Sequence, residues 1–98
     1  MPSPSRRVEI RLTISPAAPY MAIAGELAGK LAVYSGAENG AAEHLRQAVV
    51  SMAESLGRGA PDATVDLTLA AGERELVAVA ESGNRNERAV CPLPQVNL

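Results

Sequence analysis

The sequence predicts an α+β domain, with one sheet, antiparallel or mixed, and two helices packed on one of its faces in the order β-α-α-β-β. Three observations predict it. Val8, Ile10, Leu12 and Ile14 alternate with Glu9, Arg11 and Thr13, the period of a half-buried strand. Two segments that follow carry apolar residues three and four apart, the period of a helix. Alternation then returns in Val65, Leu67 and Leu69, set against Asp66 and Thr68.

The elements follow in order. After the strand at 8–14, Ser15-Pro16-Ala17-Ala18-Pro19 interrupts the extended run. A helix is expected to start near Pro19, because a proline in the first turn gives up no helical hydrogen bond. Tyr20, Ile23, Leu27, Leu31 and Tyr34 make one apolar stripe, which is expected to be buried against the sheet. Ser35-Gly36 should end this helix, and Asn39-Gly40 reads as a turn. A second helix is expected over 41–56, with Leu45, Val49, Met52 and Leu56 as its stripe and Gly57 and Gly59 as its stop. Pro61-Asp62 reads as a further turn, and a strand covers about 64–70. Ala71-Gly72-Glu73-Arg74 makes a hairpin connection. Leu76 to Ala80 is apolar on both faces, as in a central strand. The prolines at 92 and 94 forbid a helix beyond residue 85 and allow an extended edge segment at most. The 98 residues are therefore expected to form a single domain: a disordered arm at 1–7, a core at 8–84 and an extended tail at 85–98.

Composition narrows the function classes. With 47% hydrophobic and 20% charged residues the chain is globular, yet it holds no Phe or Trp and only Tyr20 and Tyr34 as aromatics. A core of small side chains buries less area per residue, so modest stability and a use for homo-oligomerisation are expected. The net charge of −2 and the scattered basic residues argue against nucleic-acid binding. Arg6-Arg7 is not followed by an uninterrupted apolar run and no stretch is long enough to span a membrane, so a cytoplasmic protein is expected. Cys91, the single cysteine, allows no intrachain disulfide and no cysteine-based metal site; it is expected to be an unreactive thiol. His44 reads as a surface histidine, and no metal site is expected.

Several segments taken together resemble the anti-sigma regulatory factors, serine/threonine kinases of the histidine-kinase-like ATPase fold. They are Arg11-Leu12-Thr13-Ile14 with Pro16-Ala17 behind it, Leu27-Ala28-Gly29-Lys30-Leu31-Ala32, Leu45-Arg46-Gln47-Ala48-Val49, and Leu76-Val77-Ala78-Val79-Ala80 running into Glu81-Ser82-Gly83. The likeness covers about residues 8–84 and implies the core of that fold. It also implies a catalytic glutamate and, four residues on, a magnesium-binding asparagine, positions that fall here on Ser51 and Ser55. A hydroxyl neutral at pH 7 does not take a proton as a carboxylate does, and it is a poor substitute for an amide oxygen on a hard cation. The family's adenine-contacting aspartate corresponds to Glu81 and its first glycine to Gly83, while Arg85 stands where the second glycine belongs. These are vestigial cofactor-binding positions at most. The resemblance ends before the glycine-rich lid over the phosphates, so a degenerate, C-terminally truncated member is expected.

The resemblance implies a non-catalytic regulatory module that grips a sigma factor or an anti-anti-sigma antagonist, with no cofactor and no kinase activity, and a homodimer pairing strands through residues 8–14 or Val90–Leu93 would cover its sheet edge. Two alternatives stay open. One is an ATP- and magnesium-dependent kinase with divergent motifs, in which Glu54 would be the base on a shifted register. The other is a structural homodimer with no ligand.

Overall fold

In the computed structural model, which describes residues 8–59 and 63–94, the elements run β1 (Val8–Ile14), α1 (Ala18–Tyr34), α2 (Asn39–Gly59), β2 (Val65–Ala71), β3 (Glu75–Ser82) and β4 (Arg85–Pro92). The strands form one sheet in the order β1-β2-β3-β4, and every neighbouring pair is antiparallel. The α+β class and the pair of helices match the sequence reading. Among the described residues the sheet has one strand more than expected and no parallel pair. The arm at 1–7, the Pro61-Asp62 turn and residues 95–98 lie outside the described residues.

The extra strand corrects the expected tail. Gly83 and Asn84 join β3 to β4 in a two-residue hairpin, with Gly83 at φ 61° and no positive φ at Asn84. That is the pattern of a type II′ turn, whose twist matches that of the flanking strands. Pairing then runs from Ser82↔Arg85 to Glu75↔Pro92. Pro92 is tolerated because it ends an edge strand. Cys91 and Leu93 are buried with the helices, so the core continues past residue 84.

Local chemistry fixes the helix ends. The Ala17 carbonyl accepts from the N–H groups of Tyr20 and Met21 at 3.0 and 3.1 Å, and Pro19 sits in the first turn of α1 as expected. At the other end Gly36 adopts φ 99°. Its N–H donates to the Val33 carbonyl at 3.0 Å and that of Ala37 to Ala32 at 2.9 Å, a Schellman closure. Asn39-Gly40 forms the first turn of α2 rather than a separate turn, and α2 runs through Gly57 to Gly59. A Cβ at Gly57 would lie 2.5 Å from Cβ of Pro16, so glycine there admits the β1–α1 connection and does not stop the helix.

Both helices pack on one face of the sheet, α1 over β1 and β2, α2 mainly over β3 and β4. The stripe of α2 is buried as expected: Leu45, Val49, Met52 and Leu56 meet Leu67, Leu69 and Leu76 of the central strands. The stripe of α1 is buried only in part, at Leu31 and, less fully, Leu27. Ala24, Ala28, Leu31 and Ala32 are its buried residues, while Tyr20, Ile23 and Tyr34 are 51%, 59% and 87% exposed. The reason is the close approach of α2. A Cβ built on Gly25 would lie 2.7 Å from Cγ2 of Val50 and 3.0 Å from the Arg46 carbonyl oxygen. Only small residues fit this seam, so α1 turns them toward α2 and carries Tyr20 and Ile23 outside the core.

Gly25 and Gly29 therefore make opposite predictions in urea denaturation. Gly25→Ala is expected to lower stability by about 1–3 kcal/mol through overpacking. At Gly29 the nearest atom to a new Cβ is 3.5 Å away, ordinary contact, so Gly29→Ala should raise stability by up to about 1 kcal/mol through helix propensity.

Candidate functional site

The positions singled out by the family likeness do not converge on one pocket. Ser51 is exposed on α2, and Ser55, one turn on, is half-buried. The Arg85 guanidinium Nη2 reaches the backbone oxygen of Ser55 at 3.5 Å. Glu81 belongs to the odd-numbered residues of β3, which point away from the helices, and it lies exposed on the opposite face of the sheet. Gly83 serves the β3–β4 hairpin. Glu54 is exposed and 4.0 Å from Arg58 on the next turn of α2, a surface ion pair. Among the described residues no group of three His, Cys, Asp or Glu side chains is placed to hold a metal. His44 is exposed. Cys91 is buried, its Sγ 3.8 Å from the Ala41 carbonyl oxygen, and burial pushes the thiol pKa up.

The sheet face away from the helices is open among the described residues. The strand registers arrange this face in three rows. Glu9, Ala70, Val77 and Val90 form the first, Arg11, Thr68, Val79 and Arg88 the second, and Thr13, Asp66, Glu81 and Asn86 the third. The apolar patch of Ala70, Val77, Val79 and Val90 thus lies toward one end, with Val90 48% exposed. The far end is acidic, with Asp66 directly opposite Glu81. The Thr13 hydroxyl donates to Asp66 Oδ1 at 2.8 Å and ties β1 to β2 there. A shallow depression of about 410 Å³ runs over Arg11, Thr13, Asp66, Thr68 and Glu81.

The second uncovered surface is the edge formed by β1 and α1. Ile10, Leu12 and Ile14 face the helix layer but remain half-buried, because no strand lies beyond β1 among the described residues. Tyr20, Ile23 and Leu27 fall on the flank of α1 opposite Gly25 and Gly29, the side away from α2. In its 17 residues α1 carries two charges, Glu26 and Lys30. A helix apolar on nearly all sides needs cover on nearly all sides, and among the described residues only the sheet and α2 cover it.

A groove of about 610 Å³ separates the outer surfaces of α1 and α2, lined among others by Glu26, Lys30, Tyr34, Glu43 and Arg46. Arg46 Nε donates to Glu43 Oε1 at 2.9 Å, Arg46 Nη2 also bonds Glu43, and Gln47 Nε2 donates to Glu43 Oε2 at 3.0 Å. These donors hold the Glu43 carboxyl at about 2. The sequence reading missed this cluster, whose signal was the spacing of Glu43, Arg46 and Gln47 at three and four residues. No helix among the described residues is long and apolar enough to cross a membrane. No family model, curated protein or solved structure matches the chain.

The lowered Glu43 value fixes a pH dependence. A carboxyl whose folded pKa lies below its unfolded one contributes stability above the unfolded value and loses it as pH falls toward the folded one. A carbon-detected NMR titration should show Glu43 ionised down to about pH 2, and Arg46→Ala should move its midpoint back up toward the ordinary carboxylate range.

Proposed function

We propose that this chain is a non-catalytic regulatory protein-binding module of the anti-sigma type, acting in the cytoplasm. The observation that carries the reading is the open sheet face, where an apolar patch at Ala70, Val77, Val79 and Val90 is flanked by Glu9 and Arg11 on one edge strand and Arg88 on the other. An exposed apolar patch rimmed by charge marks an interaction surface. The module would use it to grip a protein, and the resemblance points to a sigma factor or its antagonist.

The placement of the polar residues supports the non-catalytic half of the reading. Phosphoryl transfer depends on a base, a metal and phosphate contacts held together. Here Ser51 and Ser55 stand in for the family's base and metal ligand on α2, and Glu81 lies across the sheet from them. The two sets of groups therefore face opposite sides of the sheet.

Two measurements test the proposal. Thermal denaturation with and without millimolar ATP–Mg²⁺ should give the same midpoint, since a ligand that binds the native state raises it. Co-elution with a panel of purified sigma factors and anti-anti-sigma proteins should find one partner, and Val79→Glu should abolish that complex without lowering the melting temperature. A nucleotide-dependent rise that is lost in Ser55→Ala or Glu81→Ala would overturn the reading in favour of an ATP-binding kinase. A partner indifferent to Val79→Glu would remove the sheet face as its site.

A further inference from the structure

We infer that a second copy of this chain covers the β1–α1 edge, the two β1 strands pairing antiparallel about a two-fold axis at Ile10. This pairing is separate from the partner reading, because it uses the edge of the sheet and leaves its open face free.

Four observations choose a second copy as the occupant. First, β1 is hydrogen-bonded on one side only among the described residues, and its free side offers a row of backbone donors and acceptors that only another extended strand satisfies. The opposite edge is less available: β4 carries Arg85, Glu87 and Arg88 and ends in Pro92, a composition that discourages strand addition. Second, the layer dimensions repeat. A helix about 10 Å across covers two strands about 4.8 Å apart. Since α1 lies over β1 and β2, its two-fold mate arrives one helix width away, where Tyr20, Ile23 and Leu27 of each copy face those of the other. The product is an eight-stranded sheet under four helices, with no new edge opened.

Third, the apolar residues are continuous across the join. With Ile10 opposite Ile10, Val8 stands opposite Leu12 of the second copy on the helix side, in both directions, which covers Val8, now 49% exposed, together with the half-buried Ile10 and Leu12. Fourth, the charges select this register. Glu9 then faces Arg11 of the second copy, and Arg11 faces its Glu9, both pairs on the open side; the two residues already lie 3.4 Å apart within one chain. A two-fold axis one residue further on would set Arg11 against Arg11, which is destabilising.

Sedimentation velocity of the full chain over a concentration series tests the inference. The expected species has twice the 10.2 kDa chain mass. Ile23→Glu should yield the monomer with an unchanged circular dichroism spectrum, because Ile23 is 59% exposed within one chain. Arg11→Glu should weaken the dimer about tenfold by turning two attractions into repulsions. Adding Glu9→Arg to it should restore the dimer. A monomer at every concentration overturns the inference, as does a dimer insensitive to Ile23→Glu. A dimer sensitive to Ile23→Glu that the Glu9–Arg11 exchange does not rescue overturns the β1 pairing. None of these outcomes alters the Val79→Glu test of the open face, so the two readings fail separately.

Discussion

The approach of α1 to α2 at Gly25 is the contact on which the rest of the molecule depends. There the α1 backbone lies against Val50 and the Arg46 carbonyl so closely that one added carbon has no room. A seam of Gly25, Ala28, Gly29 and Ala32 follows from that closeness, and so does the rotation of α1 that carries its small residues inward. The core is then built from the large side chains of α2 and of the strands, with alanines filling the other side. Small residues bury little area each, so the monomer gains less from its core than its apolar content suggests.

The same constraint leaves apolar surface outside. Two helices cover one face of a four-stranded meander, so on the other Val90 is exposed and Val77 and Val79 are only half-buried. The rotation of α1 directs Tyr20 and Ile23 away from the core, on the side of an edge strand whose inner row is half-buried. Each uncovered surface has its own chemistry. The sheet face grades from apolar to acidic, which suits a heterologous protein. The edge is self-complementary in charge and offers unpaired backbone, which suits a second copy.

Periodicity made most of the fold legible. The α2 stripe, the alternation of β1 and β2 and the Gly36 stop were readable because each rests on local pattern or backbone conformation. The fourth strand was not, because Arg85, Asn86, Glu87 and Arg88 hide the alternation that places Ala89 and Cys91 on the inner face. Its one local signal was Gly83-Asn84 at two-residue hairpin spacing. The stripe of α1 was legible but only half of it meets the core: spacing shows that Tyr20, Ile23, Leu27, Leu31 and Tyr34 share a face, not that the core reaches only Leu31 and Leu27. The two charges in 17 residues were the hint that this helix is apolar all round. At the positions singled out by resemblance, residue types were legible without placement, and only the strand register puts Glu81 and Ser51 on opposite sides of the sheet.

Helix α1 is held by Ala24, Ala28, Leu31 and Ala32, while Tyr20 and Ile23 lie outside the core. Urea unfolding of the Tyr20→Ala, Ile23→Ala double variant, at a concentration low enough to keep the chain monomeric, tests it most directly. Truncating two exposed side chains should change stability by less than about 1 kcal/mol. A loss of about 4 kcal/mol or more, the cost of emptying buried sites, would contradict it.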